Sequence, residues 1–115
     1  MKVKIYHNPR CSKSRETLQL LRDKGIEPEI VEYLKTPPSA EELDAILQKL
    51  GIEPHDLMRT KEKPYDENDL FDKSLDRQTL IRAMVEHPIL IERPIVVIGN
   101  KAAIGRPPEN VLAIL

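Results

Sequence analysis

The run Pro94-Ile95-Val96-Val97-Ile98 constrains this chain more than any other stretch. Consecutive apolar residues with no polar alternation fit a fully buried strand, which needs helical cover over its sheet. Gly99-Asn100 follows as a hairpin turn signal, with 102–104 as the return strand. The first half reads differently. Val3-Lys4-Ile5-Tyr6 alternates with period two and predicts a short strand, broken by His7-Asn8-Pro9. A helix then runs from Cys11, with Leu18, Leu20 and Leu21 inward, to a left-handed stop at Gly25. Glu29-Ile30-Val31-Glu32-Tyr33 is a second strand, ended by Pro37-Pro38.

Ser39 followed by Glu42 is a capping box, which satisfies two backbone donors that a helix start leaves orphaned. Leu43, Ile46, Leu47 and Leu50 recur at helical spacing before Gly51 closes the segment. The polar stretch from Arg59 to Asp69 reads as a loop with one or two short turns. Asp76 caps another helix carrying Leu80, Ile81, Met84 and Val85, stopped by Pro88. Pro107-Pro108 opens a last helix, because proline suits the first helical position, with Val111, Leu112 and Leu115 expected to face the sheet. The order is strand, helix, strand, helices, strand, strand, helix, a small α/β layered arrangement.

Composition narrows the function classes. The 115 residues fit one domain, and no linker, repeat or low-complexity stretch divides them. The net charge is −1, so the cationic surplus that displaces counterions from nucleic acid is missing. The longest apolar runs are too short to span a bilayer, and the N-terminus shows no signal-peptide core. There is one cysteine, so no intramolecular disulfide can form, and the expected compartment is the cytoplasm. Three scattered histidines and that cysteine lack paired metal-ligand spacing, so no metal site is expected. Four glycines build no phosphate-binding loop.

Cys11 lies between a strand end and a helix start, where backbone N–H groups and the helix dipole favour negative charge. Arg10, Lys13 and Arg15 add positive charge nearby, so a thiol pKa below the ordinary value is expected. The alternative is a small buried core cysteine, against which the hydrophilic neighbours argue. Position 17 is Thr17, which excludes the Cys-x5-Arg spacing of a phosphatase-type loop. Position 14 is Ser14, so a Cys-x-x-Cys self-resolving pair is excluded too. Any redox cycle must borrow outside thiols, most simply glutathione followed by a glutaredoxin. His7 is either a base for the thiol or a hydrogen-bond partner of the turn.

His7-Asn8-Pro9-Arg10-Cys11-Ser12-Lys13-Ser14-Arg15 resembles the active-site motif of the glutaredoxin-coupled arsenate reductases, His-Asn-Pro-x-Cys-x-x-Ser-Arg. Three more stretches are similar in order: Tyr33 to Ser39, His87 to Val97, and Gly105-Arg106-Pro107-Pro108. The resemblance covers nearly the whole chain. It implies a thioredoxin-like fold with a mixed four-stranded sheet, a single domain over 1–115 and a helical insertion between strands 2 and 3 at about 39–87. It implies a cis Arg93–Pro94 bond. It also implies that the Cys11 thiolate attacks arsenate held by Arg59, Arg93 and Arg106, that His7 and Ser14 tune the cysteine, and that glutathione and glutaredoxin supply the electrons with no bound cofactor. Arg15 would neutralise the thiolate or cover the helix. Guanidinium forks suit tetrahedral oxyanions, although Arg59 taken alone is as readily a solvated surface arginine.

The best-known members read Ala-Cys-Gly-Thr-Ser-Arg and run longer at the C-terminus, so the chain looks like a sister branch. Two rival readings stand beside arsenate reduction. One is a thiol-based regulator that binds a protein such as RNA polymerase, although such regulators carry the Cys-x-x-Cys switch. The other is a glutathione-dependent reductase of a different substrate.

Overall fold

A computed structural model describes residues 2–115. The chain divides into two compact units, one built from residues up to Thr36 together with Arg93–Leu115, the other from Pro37–Glu92.

The first unit holds a four-stranded mixed sheet in the order β2-β1-β3-β4. Its strands are β1 (Val3–His7), β2 (Glu29–Glu32), β3 (Ile95–Ile98) and β4 (Lys101–Ile104). β1 pairs parallel with β2, placing Ile5 opposite Ile30, and antiparallel with β3, placing Ile5 opposite Val96. β3 and β4 form the expected hairpin through Gly99, which takes the left-handed conformation at φ 58°. The apolar run therefore occupies an inner strand, with neighbours on both edges.

Helix α1 (Ser12–Asp23) joins β1 to β2. Its Leu18 and Leu21 form one core with Ile5, Val96, Ile98 and Val111, and Leu20 and Ile26 pack against it. The Gly25 N–H bonds the Arg22 carbonyl at 2.9 Å and its φ is 78°, as the helix stop required.

The last helix departs from expectation. Residues Pro108–Ile114 form a 3₁₀ helix, Val111 is buried, and Leu112 and Leu115 are exposed by 40% and 46%. A three-residue repeat stacks positions 108, 111 and 114 on one side, whereas the expected face assumed the wider α-helical spacing. Pro108 and Val111 are accordingly buried and Ile114 packs on the core. The Arg93–Pro94 bond is cis, as the resemblance implied, and so is Arg106–Pro107.

The second unit is helical: α2 (Ala40–Leu50), α3 (Pro54–Leu57), α4 (Lys63–Glu67) and α5 (Arg77–Glu86), then a 3₁₀ turn at Pro88–Leu90. The expected insertion, about 39–87, lies inside it. In α2 the capping box forms in full, with Ser39 Oγ accepting from the Glu42 N–H at 3.1 Å and Glu42 Oε1 accepting from the Ser39 N–H at 3.2 Å. Gly51 closes the helix at φ 68°. Helix α3 was not expected; Pro54 opens it and Asp56 accepts from the Glu53 N–H at 3.1 Å. The stretch expected as a loop contains the short α4. A two-residue ribbon pairs Met58 with Ile91, with Arg59 N–H to Leu90 O at 2.7 Å and Glu92 N–H to Leu57 O at 2.8 Å. Among the described residues no helix is long and apolar enough to cross a membrane.

Candidate active site

Cys11 is the N-cap of α1, with an extended backbone at φ −96° and ψ 123°. The turn before it is tied by its own side chains. Asn8 Oδ1 accepts from the Arg10 N–H at 3.0 Å, and the Cys11 N–H donates to the Asn8 carbonyl at 3.0 Å. Arg15 Nη1 donates to the Pro9 carbonyl at 3.0 Å, which clamps the turn to the helix. The first turn of α1 contains no acidic residue, so nothing opposes its positive end.

Burial of the half-exposed Cys11 thiol pushes its pKa up. The Ser14 N–H, the Arg93 guanidinium and the Lys13 N–H outweigh that, and the net shift is downward from the ordinary value. Arg106 approaches from the hairpin side, its Nη1 3.7 Å from Cys11 Sγ and 3.4 Å from the Arg93 carbonyl oxygen. At that separation the contact to sulfur is long, and the lowering comes from Arg93 rather than Arg106.

Ser14 is fully buried and His7 nearly so. Burial lowers the His7 pKa, Glu32 partly opposes this, and Arg22 and Arg15 add to it, leaving a neutral imidazole at neutral pH. Ser14 Oγ accepts from the Asn8 N–H at 3.0 Å and shares a second hydrogen bond with His7 Nδ1 at 2.6 Å. His7 thus partners the turn through Ser14, and Ser14 places its own N–H on the thiolate.

The structure brings Arg93 and Arg106 to Cys11. Arg59 belongs to the helical unit, where Nε lies 3.3 Å from Glu62 Oε2 and Nη1 2.8 Å from Glu92 Oε1. It is a partly buried, doubly paired arginine, not a solvated one. Those two glutamates were missed by sequence reading: Glu62 stands at the i+3 position, a local signal, but Glu92 is 33 residues away. Two further residues lie beside the site without having been singled out for it: Thr17, and Gly105, which opens one of the family-like stretches. Among the described residues no group of three His, Cys, Asp or Glu side chains is placed to hold a metal ion.

Comparison with known proteins agrees with this layout. The ArsC family matches residues 6–114. The chain is 59% identical over 114 residues to the uncharacterised protein YfgD of Escherichia coli K12, covering 98% of this chain and 96% of that one. It is 54% identical to the arsenate reductase of Haemophilus influenzae over the full length of both. The solved structure of the arsenate reductase from Vibrio cholerae superimposes with a TM-score of 0.97 at 56% identity, covering 100% of this chain and 98% of that one. The fold is therefore thioredoxin-like, and the chain belongs to the ArsC family.

Proposed function

We propose that this protein is an arsenate reductase that uses Cys11 as its single nucleophile and draws electrons from glutathione and a glutaredoxin. One observation carries the reading: a helix-capping thiol held below its ordinary pKa by two backbone N–H groups and Arg93, with Arg106 Nη1 3.7 Å from its sulfur. A thiolate among fixed cations is a nucleophile at neutral pH, and the same cations suit a tetrahedral oxyanion.

In this mechanism the Cys11 thiolate attacks As(V), an S–As bond forms, and one arsenate oxygen leaves as water after protonation. Arg93 and Arg106 neutralise the remaining arsenate oxygens. Glutathione then attacks the arsenylated cysteine. The glutathione sulfur bonds to Cys11 Sγ as the S–As bond breaks with its electron pair on arsenic, which leaves as arsenite, As(III). A glutaredoxin thiol then attacks the Cys11–glutathione disulfide, takes the glutathione as a mixed disulfide and frees the Cys11 thiolate. The chain has no second cysteine to do this itself. The family resemblance assigns Arg59 to the same arginine set.

The test is arsenate-dependent NADPH consumption with glutathione, glutaredoxin and glutathione reductase. Turnover that needs every component and vanishes in Cys11→Ser is expected. Retained turnover in Cys11→Ser, or none in the folded wild type, would overturn the reading. In the same assay Arg59→Ala should raise KM for arsenate; an unchanged KM removes Arg59 from the set.

A further inference from the structure

The antiparallel register of β3 and β4, with Ile95 opposite Ile104, continues one step beyond the strands. There the Gly105 N–H donates to the Pro94 carbonyl at 2.9 Å. One step further, Arg93 and Arg106 stand opposite each other, joined by the 3.4 Å contact from Arg106 Nη1 to the Arg93 carbonyl. Both arginines therefore hang from the backbone pair Pro94–Gly105. Cys11 is carried by a different element, α1, and something must fix the spacing between the two.

Thr17 on α1 meets the hairpin at that point. It is fully buried, its hydroxyl donates to the Lys13 carbonyl at 2.8 Å, and the same oxygen lies 3.4 Å from the Gly105 carbonyl oxygen. The hydroxyl is already satisfied within its own helix, so hydrogen bonding alone does not explain the contact. The glycine does. Gly105 is not in the left-handed region, so its backbone does not require glycine. Space does: a methyl group there would overlap the Thr17 hydroxyl and stand 2.9 Å from Pro94 Cγ and 3.0 Å from Thr17 Cγ2.

We propose that Thr17 and Gly105 are positioning residues whose contact sets the distance between Cys11 on α1 and the arginine pair on the hairpin. This rests on reading Cys11, Arg93 and Arg106 as the reacting site. Relieving the overlap of an added methyl needs an opening of roughly an ångström, since the Thr17 hydroxyl stands closest and carbon atoms rest at about 3.5–4.0 Å. The 3.7 Å approach of Arg106 to the sulfur is already at its outer limit, so such an opening removes it. A misplacement of about 1 Å at a reacting centre can cost about a hundredfold.

The experiment is the pH profile of Cys11 alkylation by iodoacetamide, paired with sulfate binding and a thermal melt, on Gly105→Ala, Thr17→Ala and the double variant. None of these readouts needs arsenate turnover, so a failure of the reductase reading leaves them interpretable. Gly105→Ala should move the alkylation midpoint upward and weaken sulfate binding about tenfold or more. Adding Thr17→Ala, which removes both Thr17 atoms that crowd the methyl, should return both values toward wild type. A folded Gly105→Ala with unchanged midpoint and sulfate affinity overturns the proposal, as does a double variant no better than Gly105→Ala. If Gly105→Ala does not fold, Thr17→Ile presses on the contact from the helix side. It should move the midpoint the same way, and an unmoved midpoint overturns the proposal.

Discussion

Arg93 does more for the sulfur than its neighbours on the hairpin. Burial raises the Cys11 pKa, and the Ser14 N–H, the Arg93 guanidinium and the Lys13 N–H bring it below the ordinary value. The sign of the pH dependence follows. Alkylation requires the thiolate, so the wild-type rate should level off at a lower pH than that of a free thiol. Arg93→Ala removes the one cation among these causes. Its midpoint should move up, and oxyanion affinity should fall by about 1.5–3 kcal/mol, the range for a charged hydrogen bond. Alkylation rates across pH, with sulfate titration beside them, check both statements. Cys11 was legible in the sequence from its place at a helix start, whereas Arg93 and Arg106 were marked out by the family resemblance. The link through which His7 acts was not legible, because the hydroxyl of Ser14 serves two partners at once, and only the fold shows which.

Helix α2 was read almost to the residue, since both of its ends are marked by local chemistry: the Ser39–Glu42 box and the left-handed Gly51. Removing the cap should cost what a lost N-cap bond usually costs. Ser39→Ala is expected to lower stability by about 1 kcal/mol, seen as a lower urea midpoint with an unchanged slope. The C-terminal segment shows the opposite case. Val111, Leu112 and Leu115 have a spacing compatible with an α-helical face, and the sequence offers no local mark that distinguishes a 3₁₀ repeat. The choice is made by packing, which buries Pro108 and Val111 and leaves Leu112 and Leu115 outside. The Thr17–Gly105 contact was equally illegible, because its partners are 88 positions apart and nothing local in the sequence joins them.

The sheet unit is assembled from the two ends of the described chain, with the inner strands β1 and β3 contributed by opposite ends. Its core joins Leu18 and Leu21 from one end to Val96, Ile98 and Val111 from the other. Leu21 is fully buried, and Leu21→Ala should cost about 2–5 kcal/mol in urea unfolding, the range for a large-to-small change that leaves a cavity. The same long-range closure bears on how the protein is made. Cys11 and Arg106 touch across 95 positions of sequence. During synthesis the N-terminal end emerges first, so the thiol reaches solvent long before either guanidinium that surrounds it in the finished fold. The backbone N–H groups of α1 that lower the thiol pKa are close in sequence to Cys11, whereas Arg93 and Arg106 join them only when β3 and β4 close the sheet. Completion of the arginine pair is thus tied to completion of the sheet itself.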